Sequence, residues 1–340
     1  MKKLLFPASL FLLLLFALWG HLALERLTRP QPIYSELEPS FQLKYEPGPE
    51  SLLTKSPKRI VSLAPSLTET LFALGLDAEV IGVTSFCAYP PEAALKQTVA
   101  GFGDIYLEAL VRTRPDLVIL PLDKTWNRLQ MERLGLNTLA LDTRTIFGLM
   151  QSIEILGQSA QHQKQAAALL ESINKNLATA QAKAKGRKRP RVLFSVMHAY
   201  QGLGYISEIS VIGNDGFYSE LIELAGGQNA YRGSLPFPRL SREAIIFLDP
   251  EVIIDVIPPG EDLEAVRQDW QSLSSVSAIK NNRLLLLTDE AHTVPGPRFV
   301  QTLKIMSQEF HPQEPYPQNL NSEFNFNGGP NATPRQELSQ

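Results

Sequence analysis

The chain has 340 residues, 44% hydrophobic and 20% charged, a globular mix that excludes a wholly disordered or collagen-like chain. Lys and Arg number 32 against 35 Asp and Glu, a formal net charge of -3, which lacks the basic excess of a nucleic-acid binder. One cysteine, Cys87, excludes an internal disulfide and any multi-cysteine zinc or iron–sulfur site.

Met1-Lys2-Lys3 precede an apolar run from Leu4 to Trp19, interrupted by Pro7 and Ser9. A basic start before such a run is the pattern of an export signal. Extended to Leu24, the run reaches the roughly 20 residues of a spanning helix. Residues 1–24 therefore read as a signal peptide or an N-terminal membrane anchor. Pro30, Pro32, Pro39, Pro47, Pro49 and Pro57 make residues 25–57 an extended linker. Residues 312–340, rich in Pro, Asn, Gln, Ser and Gly, read as a disordered tail.

Between these ends, short apolar runs alternate with helical patterns. Arg59–Ala64 reads as a strand, and Ser66 as the cap of a helix that Gly75 ends. Val80–Val83, Asp116–Leu120 and Thr138–Leu141 read as further strands, with a helix over Lys124–Leu134. Residues 145–185 contain no proline and are rich in helix formers, which predicts a single helix of roughly 57 Å. The alternation then restarts: strand Arg191–Val196, helices Phe217–Leu224 and Ser241–Phe247, strands Val252–Val256 and Asn282–Leu287, and a last helix over Pro297–Phe310. The expected fold is α/β. It has two Rossmann-like lobes, residues 58–144 and 186–311, each a mainly parallel sheet flanked by helices. One long helix, residues 145–185, joins them.

Enzyme signatures are missing. Gly101-Phe-Gly103 and Gly202-Leu-Gly204 begin like dinucleotide loops but lack the third glycine, and no phosphate loop or Gly-x-Ser-x-Gly elbow exists. Cys87 reads as a small buried hydrophobe rather than a nucleophile. No His-x-x-x-His pair is present; His198 and His292 follow strands and leave a two-histidine site open, but no metal ligand and no catalytic residue is assigned. The ends of the strands instead carry aromatic and small polar groups. These are Ser66, Phe86, Tyr89, Phe102 and Trp126 in the first lobe, and His198, Tyr200, Phe237, Arg239 and His292 in the second. Ligands of α/β sheets bind beyond the carboxyl ends of strands, and aromatics there favour a large, partly apolar guest.

The ordered motifs resemble a known family. Arg59-Ile-Val-Ser-Leu-Ala-Pro-Ser-Leu-Thr-Glu69, Val80-Ile-Gly-Val83, Tyr89-Pro90-Pro91 and Arg114-Pro-Asp-Leu-Val-Ile119 are similar to the first lobe of the periplasmic binding proteins for iron-siderophores and vitamin B12. Leu221-Ile-Glu-Leu-Ala-Gly-Gly-Gln-Asn229, Ser241-Arg-Glu-Ala-Ile245 and Asp249-Pro-Glu-Val-Ile-Ile254 are similar to the second. The resemblance implies a non-enzymatic protein that captures a metal chelate, cobalamin or a ferric siderophore, and delivers it to an inner-membrane permease dimer of an ABC importer. It implies a periplasmic location, no resident cofactor, and docking to permease arginines through one glutamate per lobe, Glu108 and Glu243. Tryptophans of the vitamin B12 binder are replaced or displaced here, with Phe237 at one position and Phe102 near another. Arg239 and Arg298 are available to an anionic chelate, so siderophores, heme and corrinoids all stay open. A membrane-anchored chelate sensor is the alternative, and a small periplasmic hydrolase using His198 or His292 is a further one.

Overall fold

A computed structural model describes residues 56–312, except 102–103, 198–203, 215 and 259, and the side chains of 125–127 and 197. The expected signal segment, nearly all of the linker and the expected tail lie outside the described residues.

The first lobe is built from β1 (Ile60–Ser62), α1 (Pro65–Ala73), β2 (Val80–Thr84), β3 (Gln97–Ala100), α2 (Leu107–Arg112), β4 (Leu117–Pro121), α3 (Thr125–Arg133) and β5 (Thr138–Leu141). The strands lie in the order β3-β2-β1-β4-β5, every neighbouring pair parallel. Strands β1 and β4 are apolar runs buried almost throughout, as a parallel sheet covered on both faces requires. Ser66 does not cap α1. Ala64 is the N-cap and Pro65 opens the helix, its fixed φ suiting the first turn, so Ser66 lies one residue inside. Gly75, at φ 73, turns the chain out of α1 in a left-handed conformation that glycine adopts without strain.

The single helix expected over 145–185 is two: α4 (Ile146–Ser159) and α5 (Gln163–Ala184), broken at Gln161, whose φ is 62. Neither proline nor glycine marks this break. Packing causes it. A Cβ on Gly157 would lie 2.4 Å from the Ala166 Cβ, so glycine lets α4 and α5 close on each other after the turn. The buried stripe Leu149, Ile153 and Leu156 of α4 needs a partner, and burying it outweighs one strained residue. His162 is half-buried at the start of α5, its Nδ1 2.7 Å from the Leu74 oxygen.

The second lobe comprises β6 (Arg191–Met197), β7 (Glu208–Val211), α6 (Phe217–Leu224), β8 (Gln228–Asn229), β9 (Arg239–Ser241), α7 (Arg242–Leu248), β10 (Val252–Val256), α8 (Leu263–Gln271), α9 (Ser277–Lys280), β11 (Leu284–Leu287) and α10 (Phe299–Phe310). Its order is β11-β10-β6-β7-β9. The first three strands are parallel, β7 runs antiparallel to β6, and β9 antiparallel to β7. Trp270 is fully buried in this core, and its Nε1–H donates to Asp255 Oδ2 at 2.7 Å, satisfying its one polar hydrogen. Helix α5, 22 residues and about 33 Å long, starts against the first lobe through His162 and packs along α10 and α6. It is the connecting element. Beyond its far end, Lys188 and Arg189 pair with Glu251 and Glu223 within the second lobe.

Candidate functional site

The loops that leave the carboxyl ends of β2 and β11 meet at α1, the helix that follows β1. Arg298, the N-cap of α10, reaches across to the first lobe. Its Nε donates to Glu69 Oε2 at 3.0 Å and its Nη2 to Glu69 Oε1 at 2.6 Å. Its guanidinium lies 3.6 Å from the centroid of the Tyr89 ring. Asp289 Oδ1 stands 3.6 Å from Nη1. The arginine is thus held by a forked carboxylate on one side and an aromatic face on another.

Local sequence explains each placement. Glu69 is the sole charged residue of α1, and it is 4% exposed. Gly296 lets the chain before α10 approach α1, since a Cβ there would stand 2.9 Å from Glu69 Oε2 and 3.3 Å from the Ser66 Cα. The Asp289 carboxylate accepts from the Ala291 N–H at 2.8 Å and opens the single turn Glu290–His292. His292 is buried, its Nδ1 2.8 Å from Thr302 Oγ1, which ties that turn to α10 and fixes the segment carrying Arg298.

Burial raises the Glu69 pKa above the ordinary carboxylate value, against the hydrogen bond and charge of Arg298, while the charges of Asp289 and Glu290 add to the rise. Burial also opposes the Arg298 charge, but Glu69, Asp289 and Tyr89 together carry its pKa above the usual value. Burial lowers the His292 pKa, with Asp289 opposing, and favours the neutral imidazole.

The expected ligand residues fall in different places. Ser66 is buried in the first turn of α1, facing Gly296. Phe86 and Tyr89 are 53% and 45% exposed in the loop after β2. Between them Cys87 is buried, with the Thr68 and Thr84 hydroxyls each 3.2 Å from its Sγ. Tyr89 and Ser66 therefore join the Arg298 cluster, with His292 behind it. Phe237 and Arg239 lie at the opposite edge of the second sheet. Phe237 is exposed, and Arg239 on β9 forms an ion pair with Glu208 on β7. Phe102, His198, Tyr200 and the Trp126 side chain lie outside the described residues. Arg298, expected to be available to an anionic chelate, is held instead by Glu69, and that pair was not foreseen. Its signal in the sequence is a lone carboxylate in an otherwise uncharged helix and a lone arginine after Gly296-Pro297.

Glu108 and Glu243 lie elsewhere. Each occupies the first turn of a short helix, α2 and α7, one beside each sheet, and both are exposed. Glu108 pairs with Arg112 at 2.6 Å, and Glu243 accepts from the Ser241 hydroxyl at 2.8 Å. Among the described residues, no group of three or more His, Cys, Asp and Glu side chains is arranged to hold a metal ion.

Two lobes meeting at the carboxyl ends of their strands define a binding fold, and the chain belongs to the periplasmic binding protein family, whose model matches residues 60–291. An ABC transporter substrate-binding lipoprotein of Bacillus subtilis, YvrC, is 27% identical over 267 residues, covering 76% of this chain and 82% of that protein. The vitamin B12-binding protein of Pectobacterium carotovorum is 26% identical, over 66% of this chain and 80% of its own length. Among solved structures, a periplasmic heme-binding protein of Pseudomonas aeruginosa superposes with a TM-score of 0.65 at 22% identity, covering 77% of this chain and 95% of that one. That likeness shows the fold.

Proposed function

We propose that this chain is the substrate-binding component of an ABC importer. It takes a metal chelate of the corrinoid, heme or ferric siderophore class at the seam of its lobes and hands it unaltered to an inner-membrane permease dimer. The observation that carries the reading is the contact of Tyr89 and Glu69 with Arg298, which brings the strand-end loops of both sheets to one place. Phe86 and Tyr89 offer the exposed aromatic area a macrocycle stacks on. The relatives that match over most of their length, a transporter lipoprotein and a vitamin B12 binder, support both the transport role and the ligand class.

In this reading Ser66, Phe86, Tyr89, Phe102, Trp126, His198, Tyr200, Phe237 and Arg239 are the ligand-binding candidates, His292 supports the segment that carries Arg298 from behind, and Glu108 and Glu243 meet basic residues of the permease. The protein works in the periplasm, tethered or free according to the fate of residues 1–24. No catalytic residue and no resident cofactor enters the proposal.

Native mass spectrometry of the protein taken from its own periplasm tests it. A bound mass matching a corrinoid, a heme or a siderophore supports the reading. A ligand bound only by the folded form also raises the melting temperature, by about 2.7 kcal/mol of stability at a hundredfold excess over Kd. A panel of cobalamin, hemin and ferric siderophores that leaves the melting temperature unmoved overturns it.

A further inference from the structure

Among the described residues the seam holds a largely buried cation, Arg298, and it is already neutralised. Two N–H groups of Arg298 go to Glu69, a third faces Asp289, and Tyr89 lies over the guanidinium plane. Its side chain is 14% exposed, and that of Glu69 is 3% exposed. Asp289 and Glu290 add two more carboxylates at the end of β11, so this corner carries more negative than positive charge. Other arginines at strand ends are matched in the same way: Arg144 by Asp142 at 2.8 Å, and Arg239 by Glu208. An anionic guest has to break a buried carboxylate pair or sit beside the surplus carboxylates. A guest with no net negative charge meets an aromatic face and a guanidinium edge without that repulsion.

We propose that Glu69 is a specificity-determining residue: by cancelling the charge of Arg298 it makes the seam select chelates that carry no net negative charge and reject polyanionic ones of similar size. The inference rests on the reading that the ligand sits at this seam. It separates the ligand classes left open above, placing corrinoids and neutral ferric hydroxamates ahead of hemin, with its two propionates, and ferric catecholates last.

The test is titration of the full chain with cyanocobalamin, the neutral ferric hydroxamate ferrichrome, hemin and a polyanionic ferric tris-catecholate. The parent and its Glu69→Gln variant are compared. The parent is expected to bind a neutral probe at least about tenfold more tightly than the tris-catecholate, since a like-charge clash is worth that much or more. Glu69→Gln, which releases a net positive charge at Arg298, is expected to shrink that ratio by about tenfold. Asp289→Asn, whose amide oxygen can keep the hydrogen bond from the Ala291 N–H, is expected to shift it the same way by a smaller factor, and it serves if Glu69→Gln does not fold. Binding of neutral and anionic probes with a ratio that neither variant moves overturns the inference and leaves the proposed function standing. No binding to any probe overturns both.

Discussion

Glu69 and the pair Glu108 and Glu243 are the same residue type in opposite surroundings. Glu69 is buried, its oxygens bound to an arginine from the other lobe. Glu108 and Glu243 stand in water, held only by a neighbour on their own helix or at its cap. Burial makes a carboxylate part of the fold, because its charge has no solvent to retreat to. Exposure leaves a carboxylate free to meet a partner, because losing it costs the fold little. The contrast separates what holds the lobes in register from what a second protein would read.

The largest effect is expected at the buried pair. Glu69→Ala leaves Arg298 desolvated without its counter-ion, and should cost about 3–5 kcal/mol of stability. Denaturant unfolding measures it. Combining Glu69→Ala with Arg298→Met removes the stranded charge, so the double variant should be more stable than Glu69→Ala alone. Additive losses would mean that the two side chains act separately. Next in size is Gly296→Ala. Its new methyl group would press on the Glu69 carboxylate at 2.9 Å and on the α1 backbone at 3.3 Å. A loss of about 1–3 kcal/mol is expected, the usual cost of overpacking, together with weaker ligand binding from a displaced Arg298.

A smaller effect follows from pH. The folded pKa of His292 is depressed by burial, so the unfolded chain binds the proton more readily. Its contribution is fully present above the ordinary value of about 6.5 and is lost as pH falls from there through the lower, folded value. Stability should drop as pH falls below about 6.5, by at most about 1.4 kcal/mol per pH unit for one group. His311, lowered chiefly by burial, acts in the same sense. Glu69 acts in the opposite sense. Its raised pKa gives a contribution that is full below 4.5 and fades as pH rises through the folded value. The check is therefore a difference: His292→Gln should flatten the decline relative to the parent, and an unchanged slope would exclude the histidine as its source.

Much of the first lobe was legible in the sequence because its strands are continuous apolar runs set between prolines and glycines. Asp116–Leu120, bounded by Pro115 and Pro121, is such a case, and the strand found there is Leu117–Pro121. The antiparallel edge of the second lobe was not. Strands β7, Glu208–Val211, and β9, Arg239–Ser241, are short and part-polar, and pairing with a neighbour rather than their own pattern makes them strands. The break between α4 and α5 was hidden because good helix formers surround it and tertiary packing decides it. At the candidate site the aromatics after β2 were visible as a cluster. The partner of Tyr89 was not, because residues 89 and 298 meet only through the closure of both sheets.

The exposed glutamates give the smallest stability change and the sharpest division of roles. Glu108→Ala and Glu243→Ala should leave the unfolding midpoint within error, since each removes a solvent-screened contact. Ligand affinity should also be unchanged, because Glu108 is bonded to Arg112 and Glu243 to Ser241, not to the Tyr89–Arg298 cluster. If both lobes must be engaged together for release, uptake into vesicles carrying the permease should fall in each single variant and fall further in the double. Charge reversal to Lys should be worse than Ala, because it repels the basic partner that a carboxylate would meet. Raised salt should narrow the gap between parent and variants, as it screens exposed pairs over about 8–10 Å. The Glu69 variants should behave in the opposite way, with altered stability and ligand preference that salt barely touches. A Glu108→Lys, Glu243→Lys protein that transports as well as its parent would show that docking uses other surfaces, while leaving the buried pair and the seam as described.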